Sequence, residues 1–178
     1  KILSKETQRG IINKDNNTTG IPPKLDLETV INTYQDMVYR IALTYCKNSN
    51  DAKDVTQDVF LKYYVSTVHF ESDEHIKAWL IKVAINQCKK LLISPWFQRT
   101  QPLDENISFN EQSNADLFNV IMKLPKSYRI VIHLFYYEGY STKDIATMLN
   151  KKETTVRSSL LRARKKLKTM LEEDMFNE

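Results

Sequence analysis

The chain has 178 residues, 42% of them hydrophobic, so it can fill one or two cores; with only 3 glycines and 5 prolines it lacks the turn residues of an all-β fold. A mean hydropathy of -0.46 and the lack of any apolar run near ~18 residues exclude a membrane span. The net charge of +4, from 26 Lys+Arg against 22 Asp+Glu, is a weak hint of nucleic acid, and the placement of the charge matters more.

Residues 1–24 are polar, contain "NKDNNTTGIPPK" and end near Pro22-Pro23, which predicts a flexible tail or extended arm. From Asp26, a natural cap, Leu27, Val30, Ile31, Tyr34, Val38, Ile41 and Tyr45 recur at spacings of three and four and predict a helix. "KNSND" breaks it. Ser49 or Asn50 is expected to cap a second helix that turns Ala52, Val55, Val59, Phe60 and Tyr63 inward and Asp54, Gln57, Asp58 and Lys62 outward. An irregular piece over about Ser66–Asp73 leads to a third helix, about Glu74–Leu92, with Ile76, Trp79, Leu80, Val83 and Leu91 as its stripe. Three helices with short connections make a compact helical domain, residues 25–93.

Over residues 94–113 the periodicity is lost and two prolines fall among polar residues, which predicts a linker. A second helical domain, residues 114–178, follows. Leu117, Val120, Ile121 and Leu124 form a short helix stopped before Pro125, and Ile130, Val131, Leu134 and Phe135 form the next, stopped at Gly139. Two more helices are expected at about 142–149 and 154–171. The predicted fold class is all-α: two small helical domains joined by a flexible linker.

The last two helices carry the chemistry. Ser141 with Asp144 three residues on reads as a capping box, followed by inward Ile145, Ala146 and Leu149. A tight turn, Asn150-Lys151-Lys152, leads to Thr154, which is expected to cap the final helix. Val156, Leu160, Ala163 and Leu167 then pack back on its predecessor, a helix-turn-helix pattern. The outward face holds Arg157, Ser158, Arg162, Lys165 and Lys168, with Arg164 and Lys166 at its flanks, and Glu153 is the only acid between 151 and 168. The first half of such a second helix enters the DNA major groove, where Arg reads guanine and Ser bonds several bases. The later basic residues suit phosphates, and the backbone N–H groups at Thr154 and Thr155 can meet one as well. A solvated basic helix or a protein-binding helix is the plainer alternative.

"TVRSSLLRARKKLK" after "YSTKDIATML", preceded by "LPKSYRIVIHLFYYEGY", resembles the C-terminal domain of small sigma-70-type sigma factors of the extracytoplasmic-function (ECF) group. "VYRIALTYCKNSNDAKDVTQDVFLKYY" and "HIKAWLIKVAINQCKKLL" resemble the N-terminal domain of the same family. The resemblance covers about Leu25–Leu171, and it implies a dissociable polymerase subunit that directs core RNA polymerase to promoters. It implies polymerase binding by Asp54, Gln57, Asp58 and Leu61, and capture of a melted −10 base by the loop Ser66–Asp73 with His69 and Phe70. It implies −10 duplex contacts by Lys82, Asn86 and Lys89. For the −35 element it implies base reading by Arg157, Ser158, Leu161 and Arg162, and phosphate contacts by Arg164, Lys165 and Lys168, with Thr155 at the helix start. Partners implied are core RNA polymerase, double-stranded and melted promoter DNA, and an anti-sigma factor of the kind that is often membrane-anchored. Asp104, Glu105 and Glu111 would make the linker acidic in the nucleic-acid channel of the polymerase. Departures from the family pattern are Lys90 where Asp is frequent, Ile93 where a basic residue is common, Ser159 for a frequent Arg, and Asn150 for a frequent Gly.

An enzyme is not expected. His69, His75 and His133 are scattered, no phosphate-binding glycine motif occurs, and no cofactor, metal or small-molecule substrate is called for. Cys46 and Cys88 form no C-x-x-C and read as reduced, partly buried thiols of a cytoplasmic protein, in keeping with the lack of a signal-peptide pattern. A stand-alone helix-turn-helix repressor or activator is the rival reading; it would ordinarily need a dimer and a sensor domain.

Overall fold

The computed structural model describes residues 25–94 and 115–176, and every regular element among them is a helix. The expected tail over 1–24 and nearly all of the expected linker over 94–113 lie outside the described residues.

Helix α1 (Leu27–Cys46) starts where Asp26 accepts the Thr29 N–H at 2.9 Å and the Thr29 hydroxyl at 2.6 Å. Those bonds hold the Asp26 carboxyl below its usual range. Helix α2 (Ser49–Val65) is capped one residue earlier than the spacing suggests. The Asn48 side chain, not Ser49 or Asn50, accepts from Asn50 N and Asp51 N at 2.9 and 3.0 Å. Asn48 can do so because Lys47, at φ 58, ends α1 in the left-handed region and frees the next residue to be extended. Helix α3 (Asp73–Leu92) begins with Ser72 accepting from His75 N at 3.2 Å.

The second half contains α4 (Ala115–Lys123), α5 (Lys126–Ile132), α6 (Thr142–Leu149) and α7 (Glu153–Phe176). Of the stripe expected here, Val120, Ile121 and Leu124 are buried and Leu117 is 42% exposed, while Phe118 and Met122 join the buried set. Helix α5 continues into a π-helical turn, His133–Tyr137, which periodicity did not anticipate. The turn moves Phe135 to a half-buried position, not the inward one expected. It closes as Glu138 N donates to His133 O and Tyr140 N to Leu134 O, with Gly139 at φ 76 supplying the left-handed residue. Ser141 caps as expected, its hydroxyl accepting from Asp144 N at 3.2 Å, but the return bond differs from a capping box: Asp144 Oδ2 accepts from the serine hydroxyl at 2.6 Å, where the box uses the backbone N–H. Thr154, by contrast, is no cap. The final helix starts at Glu153, and Lys152 O receives Thr155 N and Val156 N. That helix also runs five residues beyond the expected end at 171.

The first three helices bury Val30, Val38, Ile41, Ala52, Val59, Tyr63, Leu80, Ile81 and Ile85, and the second half buries Ile121, Leu124, Leu134, Ile145, Val156 and Ala163. Both thiols are free and buried, and hydrogen bonding to Cys46 together with burial pushes the Cys88 thiol well up. The two apolar sets are continuous, because the second domain docks on the first. The central contact is Arg129, 4% exposed. Its guanidinium donates to Leu124 O at 2.7 Å and, across the domains, to Thr44 O at 2.8 Å and Tyr45 O at 3.4 Å. These are carbonyls of the last turn of α1, which have no partner within the helix and carry its negative end. Burial pulls Arg129 down to about 10, so it remains a cation at neutral pH. Around it, Lys77 pairs with Glu138 at 3.0 Å, Glu138 stands 3.4 Å from His133 Nε2, and His133 Nδ1 lies 3.4 Å from the Thr44 hydroxyl.

Candidate nucleic-acid and protein interfaces

On α2 the 3.6-residue period puts Asp54, Gln57, Asp58 and Leu61 on one exposed strip, because residues three and four apart share a face. Leu61 is 61% exposed, and Tyr64, Val65 and Val68 continue the apolar surface beyond it. That apolar extension was missed; its signal is three large apolar residues off the inward stripe. The Gln87 amide donates to Asp58 Oδ2 at 3.0 Å and ties the strip to α3.

In the loop before α3, His69 is exposed, but Phe70 is not available to a melted base as expected. It is 4% exposed, stacked on Tyr63 at 5.5 Å and met edge-on by Trp79 at 5.6 Å and His75 at 5.4 Å. Burying a phenyl ring among three other rings is more favourable than leaving it in a loop. Trp79, expected in the core, is half-buried: its ring packs against Tyr63 and Phe70 at the edge of the core. Lys82, Asn86 and Lys89 recur every three or four residues on α3 and share a face. That face meets the second domain. Lys89 is half-buried with its ammonium 3.5 Å from Leu149 O, and burial lowers its affinity for the proton. Lys82 borders an inter-domain cleft of about 290 Å³ with His75, Trp79, Asp144, Thr147 and Met148.

The helix-turn-helix places Val156, Leu160 and Ala163 in the core and leaves Thr155, Arg157, Leu161, Arg162, Lys165 and Lys168 exposed, with Ser158 half-buried. Its turn uses Asn150 at φ 54, which asparagine tolerates. Ser159 is buried, so the position where the family often has arginine packs inward here. Arg164 sits apart from the others. Its Nε donates to the Tyr136 hydroxyl at 2.7 Å, and the guanidinium lies 5.5 Å from the ring centres of Phe135 and Tyr136. It thereby borders an apolar groove of about 570 Å³ lined by Leu117, Ile121, Tyr136, Tyr137, Leu167 and Leu171, a surface the sequence reading did not single out. The adjacent Tyr136-Tyr137, exposed at the groove as Leu117 is, would have been the clue. Arg157 donates through Nε and Nη2 to one carboxylate oxygen of Glu153, at 3.0 and 2.7 Å.

Two profiles of one family match the chain: "Sigma-70 region 2" over residues 30–94 and "Sigma-70, region 4" over 115–167, together about two thirds of its length. Among curated relatives, the RNA polymerase sigma-H factor of Pseudomonas aeruginosa is 25% identical, with 84% of this chain and 88% of the relative covered. Sigma factor SigV of Bacillus subtilis is 28% identical over 82% and 90%, and the ECF sigma-E factor of Haemophilus influenzae 27% over 80% and 86%. Among solved structures, the sigma factor RpoE bound to the anti-sigma factor NepR from Bartonella quintana superposes with a TM-score of 0.65 at 20% identity, covering 83% of this chain and 97% of that one. CnrH in complex with the cytosolic domain of CnrY gives 0.60 at 21%, covering 83% and 88%. These two likenesses concern the fold. With region 2 on the acidic-faced half, region 4 on the basic-faced half and relatives spanning both, the chain belongs to the ECF group of sigma-70-type RNA polymerase sigma factors.

Proposed function

We propose that the α7 face of Arg157, Ser158, Leu161 and Arg162 reads the −35 element, that Thr155, Lys165 and Lys168 hold its phosphates, and that Arg164 divides its charge between them and the apolar groove. The α2 strip of Asp54, Gln57, Asp58 and Leu61 docks on core polymerase. His69 and the α3 face of Lys82, Asn86 and Lys89 engage the −10 element, with Phe70 anchoring the loop from inside. Domain boundaries follow: residues 25–93 serve polymerase and the −10 element, 114–178 the −35 element, and 94–113 join them.

As a sigma factor the chain binds core RNA polymerase and directs it to specific promoters. The observation that carries the residue assignment is the pairing of an exposed acid and amide strip on α2 with a one-sided basic face on α7, each in its own domain. Acidic groups of the first suit a basic protein partner, and cations of the second suit DNA. The work needs no catalytic group, cofactor or small-molecule substrate, so we read the chain as a non-enzymatic cytoplasmic factor; among the described residues no helix is long and apolar enough to cross a membrane. An anti-sigma partner belongs to the same reading, supported by the anti-sigma factor NepR bound to one structural relative. It is the component that would supply any membrane attachment. The test is titration of core polymerase with the Gln57→Ala/Asp58→Ala variant. The expected result is weaker polymerase binding with unchanged helical content; unchanged affinity removes the α2 assignment.

A further inference from the structure

Glu153 is an acid at the mouth of a surface assigned to DNA, where a free carboxylate would be repelled by phosphates. It is not free. Its Oε1 accepts the Thr142 hydroxyl at 2.7 Å as well as Nε and Nη2 of Arg157 at 3.0 and 2.7 Å. Thr142 opens α6 and Glu153 opens α7, so the carboxylate joins the two helices of the helix-turn-helix and fixes the arginine to both. Hydrogen bonds from Thr142 and then Arg157 keep the carboxyl below its usual range, so it is an anion at neutral pH. The Arg157 side chain is 69% exposed, and among the described residues its hydrogen bonds all go to Glu153. An arginine that exposed would otherwise sample many rotamers and lose that freedom on binding. With the Nε side taken, the outer nitrogens are left for the paired acceptors of a guanine, O6 and N7.

We propose that Glu153 is a positioning and specificity-determining residue: held by Thr142, it presets the Arg157 guanidinium for base reading and cancels the excess positive charge that would favour any DNA. The inference rests on the assignment of Arg157 to base reading. It separates two quantities that other roles would move together. Removing Glu153 deletes a negative charge near DNA, so affinity for random sequence rises, while Arg157 loses its support, so discrimination falls. A carboxylate that merely repelled DNA would, on removal, raise affinity for all sequences and leave preference unchanged. A carboxylate that itself accepted from a cytosine amine would lose preference at a base pair independent of Arg157.

The experiment is equilibrium binding of holoenzyme, assembled from core polymerase and the full chain, to duplexes randomised through the −35 element, with random-sequence duplex as the reference. Glu153→Gln and Glu153→Ala are each compared with wild type, with Arg157→Ala and with the double variant; Thr142→Val is the milder probe, since it leaves the carboxylate in place. The expected result is a loss of about three- to tenfold in preference at the Arg157 base pair, with a rise in random-DNA affinity. In the Arg157→Ala background, Glu153→Ala should change preference no further. Preference unchanged in Glu153→Ala while Arg157→Ala does alter it overturns the positioning role alone. Additive effects of the two substitutions overturn it in favour of direct reading by Glu153. Preference unchanged in Arg157→Ala removes the base-reading assignment and this inference with it.

Discussion

Arg157 and Lys168 stand on one helix face yet should fail in different ways. An arginine paired with a base edge supplies discrimination, so Arg157→Ala or Arg162→Ala is expected to cost roughly 1–3 kcal/mol between promoter and mismatched sequence. Lys168, 3.7 Å from Glu172 and highly exposed, is proposed to meet a phosphate. Lys168→Ala should weaken all DNA alike and reduce the slope of log affinity against log salt by about one. Competition binding across a salt series separates the two outcomes; equal losses on promoter and random DNA for Arg157→Ala would contradict base reading. The exposed cations on α7 were legible because period and charge agree there. Phe70 was not, since a lone aromatic in a loop gives no hint of the Tyr63 and Trp79 rings that enclose it. The Glu153–Thr142 bond was also out of reach, because it joins residues of two helices whose crossing no single-helix pattern fixes.

The boundaries of the helices follow from caps, and most were readable: Asp26 and Ser141 act as their types require. The misses have local causes. Asn48 displaces Ser49 as a cap because the left-handed Lys47 resets the chain, and the π-helical turn over His133–Tyr137 shifts α5 out of the 3.6-residue period. Arg129 is the element-scale consequence of that packing. It sits next to the apolar run Ile130–Ile132, where a charged residue two positions from a core valine should have drawn notice, and it caps a helix in the other domain. Replacing it by methionine keeps the volume but leaves the carbonyls of Thr44, Tyr45 and Leu124 without this donor. At about 1–3 kcal/mol for a buried unsatisfied group, Arg129→Met should lose roughly 3 kcal/mol in urea unfolding of the full chain. A loss under about 0.5 kcal/mol would mean that solvent replaces the guanidinium and that the docking is loose.

Across the whole molecule, the docked arrangement and the promoter set different demands. The two promoter elements lie about 25 base pairs apart, roughly 85 Å at 3.4 Å per base pair. Helix α6 rests on the α3 face of Lys82 and Lys89; with that face assigned to the −10 element, as proposed, docked domains would not occupy both elements. The 20 residues from 95 to 114 can reach at most about 70 Å. That reach, added to the domains themselves, spans the interval once they part. Charge reversal tests the contact: Lys77→Glu or Glu138→Lys should each raise the separated fraction about tenfold, and the double swap should restore docking. Spin labels at Gln35→Cys and Thr169→Cys, both exposed, report the distance. Single variants that keep the wild-type distance would show that Lys77 and Glu138 do not hold the domains. The two-domain architecture was readable from the lost periodicity over 94–113, whereas the docking was not, since it depends on polar pairs far apart in sequence. The measurement that bears most directly on the central claim is transcription by core RNA polymerase on a promoter library, with and without the full chain. The account predicts initiation confined to sites that share a −35 and a −10 motif, with the −35 preference altered by Arg157→Ala. Core polymerase that gains no promoter selectivity from the folded chain would contradict it.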